Sequence, residues 1–297
     1  MQVDSIAKIS TITLSLLLFT VCFAAISAAS HTRLHSLSYI SMALAVVTGL
    51  LALIKIANSV SVKLPRPFAI CIHWIHAMVF EVIALFVVPM LRIFTATMPS
   101  GSKEGRPILL VHGYCNDGTV WLYMRRYLAK EQLGPIYTID LGHPFRSIRD
   151  YAKKVAAKVE EIRKETGRAD VILIGHSMGG LVSAVYALSA EQGTVTDVIT
   201  IGSPLAGTHI AKIGVGPNAK EMQRSSELIN ELNERLKQEK HIRFYHIATE
   251  TDQMVIPMRS ALQGNCPDRE FVFQDIGHAS LLFSPRVGAV LAAWLKS

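Results

Sequence analysis

Six residues, Gly175-His176-Ser177-Met178-Gly179-Gly180, stand directly after the mostly apolar run Ala169-Asp170-Val171-Ile172-Leu173-Ile174. The run has the length and content of a buried strand, and residues 178–190 beyond it are rich in Ala, Leu and Val, as a buried helix is. A chain that passes from strand to helix without a loop must turn sharply, so the flanking positions must be small. Gly175 and Gly179 meet that demand, and Gly180 adds room. Ser177 then stands at the tip of the turn, beside a helix N-terminus that favours developing negative charge. The plain alternative is a Gly/Ser turn that matches by chance. The strand before it and the helix after it weigh against chance and mark Ser177 as a hydrolase-type nucleophile.

Composition divides the 297-residue chain into two parts. The first hundred residues carry six basic and two acidic side chains, whereas the remainder carries 24 and 21, an ordinary globular density. Neither part is basic enough to argue for a nucleic-acid partner. Residues 9–29 contain no charge and are long enough to span a bilayer as a helix; residues 37–54 form a second run near the lower length limit. A third, 68–91, carries His73, His76 and Glu81 on one half of a helical wheel. That stripe suits a protein-facing or interfacial helix, and it is too thin a pattern to assign a metal site. Lys8, the apolar run and Ser27-Ala28-Ala29 also resemble a cleavable signal peptide, but the further apolar runs favour a retained anchor.

These features predict residues 1–100 as a membrane region of two or three hydrophobic helices and 101–297 as a catalytic domain. The loop bearing Lys55, Lys63 and Arg66 is the more positive and is expected in the cytoplasm. If 68–91 spans, the catalytic domain lies on the exported side of a bacterial inner membrane; if it only docks, the domain stays cytoplasmic. The expectation is export. Four cysteines are too few for a disulfide scaffold. Cys115 and Cys266 belong to no C-x-x-C pair and would be able to bridge only in an exported domain.

Beyond a short linker at 98–103, strand-like and helix-like segments alternate. Strands are expected at 107–112, 136–139, 169–174, 198–202, 241–248 and 270–274. Helices are expected at 121–132, 148–166 and 178–190, with a last one opened by Ser284-Pro285. This alternation predicts an α/β fold with a mostly parallel sheet covered on both faces. Reactive groups in such sheets gather at the carboxyl ends of strands. Those ends carry His112-Gly113-Tyr114, the Ser177 turn, Glu250-Thr251-Asp252-Gln253 and Gly277-His278.

A nucleophile, a carboxylate and a histidine therefore follow one another, each after its own strand. A serine hydroxyl needs a base within reach. His278 can accept its proton and return it to the leaving group, and Asp252 can hold the imidazole's tautomer. The oxyanion needs two aimed donors, for which the backbone N–H groups of Tyr114 and Met178 are the candidates. Glu250 and Asp275 are rival acids. His112, His143, His176, His209, His241 and His246 are rival bases in principle, although His112 better suits shaping the oxyanion loop and His176 sits inside the turn.

The stretches Leu109-Leu110-Val111-His112-Gly113-Tyr114, Ile174-Gly175-His176-Ser177-Met178-Gly179-Gly180-Leu181, Ile201-Gly202-Ser203-Pro204, Ala206-Gly207-Thr208, Asp252 with Val255 and Pro257, and Gly277-His278 together resemble the α/β-hydrolase superfamily. Within it the chain resembles the bacterial lipases and esterases, over about residue 107 to the C-terminus. The resemblance implies an α/β-hydrolase fold, a Ser177–His278–Asp252 triad, ester hydrolysis through an acyl-enzyme, and no cofactor. Two departures stand out. Many relatives carry Pro-His where this chain has Pro204-Leu205, and no acidic cluster matches the calcium site of some lipases.

Between Leu205 and Lys240 only a small cap fits, and Leu228, Ile229, Leu232 and Leu236 share one helical face of its later part. Such a stripe is usually core, with a flap lining an acyl pocket as the alternative. The membrane region argues for a lipid ester substrate; protein partners are not legible. Two other functions stay open: an acyltransferase using the same triad, and a non-catalytic membrane protein that keeps the fold as a binding module.

Overall fold

The computed structural model describes residues 101–262 and 267–297, together with positions 74, 77–79 and 81. The apolar runs 9–29 and 37–54, nearly all of 68–91 (His73 and His76 included), and Cys266 lie outside the described residues. Among those described, no helix is long and apolar enough to cross a membrane. The chain divides into two units, Met1–Ile83 and Ala84–Ser297, and every described strand belongs to the second.

Among the described residues, six strands form one sheet: β1 (Ile108–Val111), β2 (Ile136–Ile139), β3 (Ile172–His176), β4 (Asp197–Ile201), β5 (Arg243–Thr249) and β6 (Glu270–Phe273). Their order is β2-β1-β3-β4-β5-β6, and every neighbouring pair is parallel. Among the described residues from 101 onward, six α-helices accompany them: α1 (Leu122–Lys130), α2 (Ile148–Thr166), α3 (Met178–Ala187), α4 (Pro217–Glu221), α5 (Glu227–Gln238) and α6 (Pro285–Lys296). The chain runs outward from β1 to β2 and then returns to β3 on the other side of β1. The loops leaving the carboxyl ends of β1 and β3 therefore diverge toward opposite faces, and this switch point is where parallel sheets of this kind place their ligands.

The period-two alternation of strands sorts the core into two layers. Leu109, Val111 and Leu173 face one side and pack with Val155, Val159 and Ile162 of α2 and Leu181 and Val182 of α3. Ile108, Leu110, Ile172 and Ile174 face the other and pack with Met124 and Leu128 of α1 and Val287 and Leu291 of α6. Both faces are thus covered, as an all-parallel sheet requires.

Local signals set the helix ends. The Ser147 hydroxyl accepts from the Arg149 amide at the start of α2, and Gly167 closes that helix in the left-handed region at φ 67°. Ser226 caps α5 by accepting from the Ile229 amide. Leu228, Ile229, Leu232 and Leu236 of α5 are buried in the first core layer. The stripe on this helix is thus core.

Most expected boundaries shift by one or two residues, and three of the shifts stand out. The segment expected as one helix over 121–132 opens instead as a 3-10 turn, Gly118–Trp121, because the Asp117 side chain accepts from Thr119 N at its first turn; α1 follows at Leu122. The buried helix after Ser177 stops at Ala187, short of residue 190. Strand β3 begins at Ile172 and continues through Gly175 and His176, because both pair with β4, and Gly175 also with β1.

At the amino ends of the strands, the nearly buried Asp197 carboxylate pairs with Arg243 at 2.6 Å and with Arg106 at 2.5 Å. Burial alone would raise its proton affinity, but hydrogen bonds from Arg243 and Arg106 outweigh it and hold the carboxyl below its usual range. This cluster ties β4 to β5 at the end of the sheet opposite the switch point.

Candidate active site

Strand β3 delivers Ser177 into a turn that only glycine neighbours permit. Ser177 has φ 55° and ψ −127°, a conformation costly for a residue with a side chain. Its amide donates to Ile201 O at 2.9 Å, so the end of β4 holds the turn in place. A Cβ on Gly175 would lie 2.4 Å from the Gly179 backbone, and one on Gly179 would lie 2.2 Å from Val111 O. A Cβ on Gly180 would meet Ser203 Oγ at 2.0 Å. Strand, turn and helix are packed too closely for any side chain at these three positions.

Loops after β5 and β6 bring Asp252 and His278 together. His278 Nδ1 lies 3.0 Å from Asp252 Oδ2, with both residues about 95% buried. The other carboxylate oxygen, Oδ1, accepts from the amides of Met254 and Val255, each at 2.8 Å. Asp252 therefore presents one oxygen to the imidazole while the backbone fixes the other. The hydroxyls of Thr249 and Thr251 both donate to Ile276 O, at 2.6 and 2.9 Å, and pin the acid's loop to the histidine's loop. Gly202, at φ 55° after β4, lies beside the pair, and a Cβ there would sit 3.3 Å from His278 Nδ1.

The backbone of His278 is gripped at both ends. Its amide donates to Gln253 Oε1 at 3.2 Å, and its carbonyl accepts from His176 Nε2 at 3.0 Å. His176 is buried against the histidine, with ring centroids 4.7 Å apart. Burial, and secondarily the neighbouring His278, push its pKa down to about 3, so it stays neutral with its proton on the donating Nε2. The residue before Ser177 and the residue after Asp252 thus both hold the histidine.

His112 follows β1 and is buried. Its Nε2 accepts from the Leu141 amide at 3.0 Å, which leaves the proton on Nδ1 to donate to Gly113 O at 2.9 Å. Burial holds its pKa below the ordinary value. Both ring nitrogens are occupied in shaping the loop that carries Gly113 and Tyr114. A Cβ on Gly113 would lie 3.0 Å from Ser177 Cβ, so this loop runs directly beside the serine. Met178, the first residue of α3, places its amide at the helix's N-terminus.

The rival residues are elsewhere. Glu250 is exposed, and Asp275 pairs with Arg286 at 2.8 Å. His246 is buried at 2.7 Å from the Thr200 hydroxyl; His143, His209 and His241 are exposed. Sequence reasoning missed Gln253, Thr249, Thr251 and the grip of His176. Only adjacency to Asp252 and Ser177 hinted at them, since linear spacing does not reveal which strand end lies against which.

A wholly parallel sheet, a strand-to-helix serine turn at the β1–β3 switch point and a buried His–Asp pair define a hydrolase-type α/β protein. The chain belongs to the alpha/beta hydrolase family, whose pattern it matches over residues 108–292. It is similar to the triacylglycerol lipase of Pseudarthrobacter phenanthrenivorans, with 32% identity over 114 residues, 35% of each chain. It is also similar to the (lyso)-N-acylphosphatidylethanolamine lipase of Mus musculus, with 26% identity over 137 residues, 42% of this chain and 39% of that one. The chain thus spans well under half the length of these two relatives. Among solved structures, mature Bacillus licheniformis lipase BlEst2 matches with a TM-score of 0.58 and 19% identity, over 67% of this chain and 95% of that one. At that identity the likeness concerns the fold.

Proposed function

We propose that this protein is a serine hydrolase that cleaves carboxylic esters, lipid esters among them, through Ser177, His278 and Asp252. The single observation that carries the reading is the buried 3.0 Å contact between His278 Nδ1 and Asp252 Oδ2 at the same sheet edge as the strained Ser177 turn. In this reading Nε2 of His278 takes the Ser177 proton as Oγ attacks the acyl carbon. The Tyr114 and Met178 amides receive the oxyanion, His278 returns the proton to the leaving alcohol, and water then releases the acid. Asp252 keeps the proton on Nδ1 and stabilises the imidazolium. The names of the relatives, lipases both, favour ester bonds over amides.

The reading extends to residues 1–100 as a membrane anchor that keeps residues 101–297 on the exported side of a bacterial inner membrane. Its support is the charge-free run 9–29 and the positive loop at 55–66. Protease digestion of intact spheroplasts tests it: a domain degraded from outside supports export, and a protected one refutes it.

A fluorophosphonate probe tests the chemistry. Wild type is expected to label and to hydrolyse a panel of p-nitrophenyl esters, and Ser177→Ala to do neither. A folded wild type that takes no label overturns the proposal. Product analysis with an added acceptor alcohol separates release to water from acyl transfer.

A further inference from the structure

The two residues whose amides serve the oxyanion in the reading above also hold, with their side chains, one and the same stretch of chain. The Tyr114 hydroxyl accepts from Val215 N at 3.0 Å and donates to Val215 O at 2.8 Å, saturating both backbone groups of that residue. Met178 Sδ accepts from Asn218 Nδ2 at 3.4 Å, and the same amide donates to Pro144 O at 2.8 Å. Asn218 is wholly buried. Between these two tethers, Gly216 has φ 96°, and a Cβ there would lie 2.7 Å from Phe145 Cβ. Phe145 in turn packs on the Tyr114 ring, with centroids 6.0 Å apart.

Residues 213–218 are therefore strapped by specific polar contacts to Tyr114 and Met178, which flank Ser177, yet the strap holds apolar side chains out in water. Ile213 is 67% exposed and Val215 62%, more than any other large hydrophobic among the described residues. Burial of apolar surface does not account for keeping them there, because neither is buried. Nor does a short loop need such a fixed path merely to connect the 3-10 turn His209–Ile213 to α4.

We infer that residues 213–218 form the wall that receives the apolar chain of an ester substrate, and that the Tyr114 hydroxyl positions this wall against the oxyanion loop. The inference rests on the ester-hydrolase reading and deepens it: the substrate class is esters whose acyl chain is long enough to reach Ile213 and Val215. Because one residue carries both the amide and the latch, displacing the strap disturbs the oxyanion loop as well. Acyl binding and oxyanion stabilisation are thereby coupled through Tyr114.

The test uses the full-length protein in detergent with p-nitrophenyl acetate and p-nitrophenyl octanoate, and checks wild type first with the fluorophosphonate probe. In an Ile213→Ser/Val215→Ser variant, the octanoate-to-acetate ratio of kcat/KM is expected to fall about tenfold, as lost apolar contact with the longer chain would produce. Tyr114→Phe keeps the ring on Phe145 and removes only the hydroxyl. It is expected to raise KM for octanoate more than for acetate and to lower kcat on both. A double variant with a ratio within twofold of wild type, or Tyr114→Phe with unchanged KM on both esters, overturns the inference while leaving the hydrolase reading intact. An unlabelled and inactive wild type overturns both. Since Ile213 and Val215 are exposed, the double variant gives a result even if Tyr114→Phe does not fold.

Discussion

His176 Nε2 donates to the main-chain carbonyl of His278 at 3.0 Å, so the residue preceding the proposed nucleophile holds the backbone of the proposed base. The two loops come from β3 and β6, which are not neighbours in the sheet. This bond fixes their separation with a group that burial keeps neutral. Removing the donor should misplace His278 while leaving its own side chain chemically unchanged. His176→Phe is expected to lower kcat on p-nitrophenyl esters by one to two orders of magnitude with little change in KM, as small misplacements of catalytic groups do. His176→Gln, which returns an N–H of similar reach, should recover part of the loss.

The same histidine makes stability depend on pH. Its folded-state pKa of about 3 lies below the ordinary 6.5, so between these values the unfolded chain binds a proton that the folded chain refuses. The contribution is complete above pH 6.5 and is lost as pH falls toward 3, with a slope of up to ~1.4 kcal/mol per pH unit. Urea denaturation at a series of pH values should show this acid limb in wild type. The limb should be shallower in His176→Gln.

Asp252 and Glu250 are two residues apart, yet only Asp252 meets the imidazole; Glu250 is exposed. Asp252→Asn is expected to cost about four orders of magnitude in kcat by disfavouring the productive tautomer. Glu250→Ala should leave activity within about twofold, as an exposed surface substitution does. Steady-state kinetics on one ester decide the matter. A dead Glu250→Ala beside an active Asp252→Asn would reverse the assignment.

The glycines of the turn are separable by what confronts them. Gly180→Ala would clash with the Ser203 side chain, whereas Gly179→Ala would clash with the Val111 and His112 carbonyls. Both should destabilise by about 3 kcal/mol or more, at or beyond the upper range for overpacking. Ser203→Gly should restore part of the stability lost in Gly180→Ala, while no side-chain deletion rescues Gly179→Ala. Gly167→Ala meets nothing within 4 Å and should cost only about 1 kcal/mol, from its positive φ. Thermal melts of the four variants measure the contrast.

Leu232 of α5 tests the reading of that helix as core. It is buried among the residues of the first core layer, and Leu232→Ala should cost 2–5 kcal/mol, roughly, in denaturant unfolding. The folded fraction should keep the wild-type preference between short and long esters. A changed preference at unchanged stability would return α5 to the role of a flap.

What the sequence determined by itself was whatever depends on neighbours along the chain. Short apolar runs alternating with helical patterns placed all six strands and the four main helices of residues 101–297 within a few residues, and the Gly-x-Ser-x-Gly-Gly turn marked Ser177, because strand-to-helix closeness is a local demand. The order of Ser177, Asp252 and His278 after successive strands was legible for the same reason. Only the tertiary structure decided which strand ends lie side by side. It set the Asp252 carboxylate, the acid the sequence already favoured over Glu250, 3.0 Å from His278, put His176 and Gln253 on the histidine's backbone, and latched Tyr114 onto Val215, 101 residues away. Those choices follow from sheet order and the register of parallel pairs, which long-range packing fixes and linear spacing does not encode.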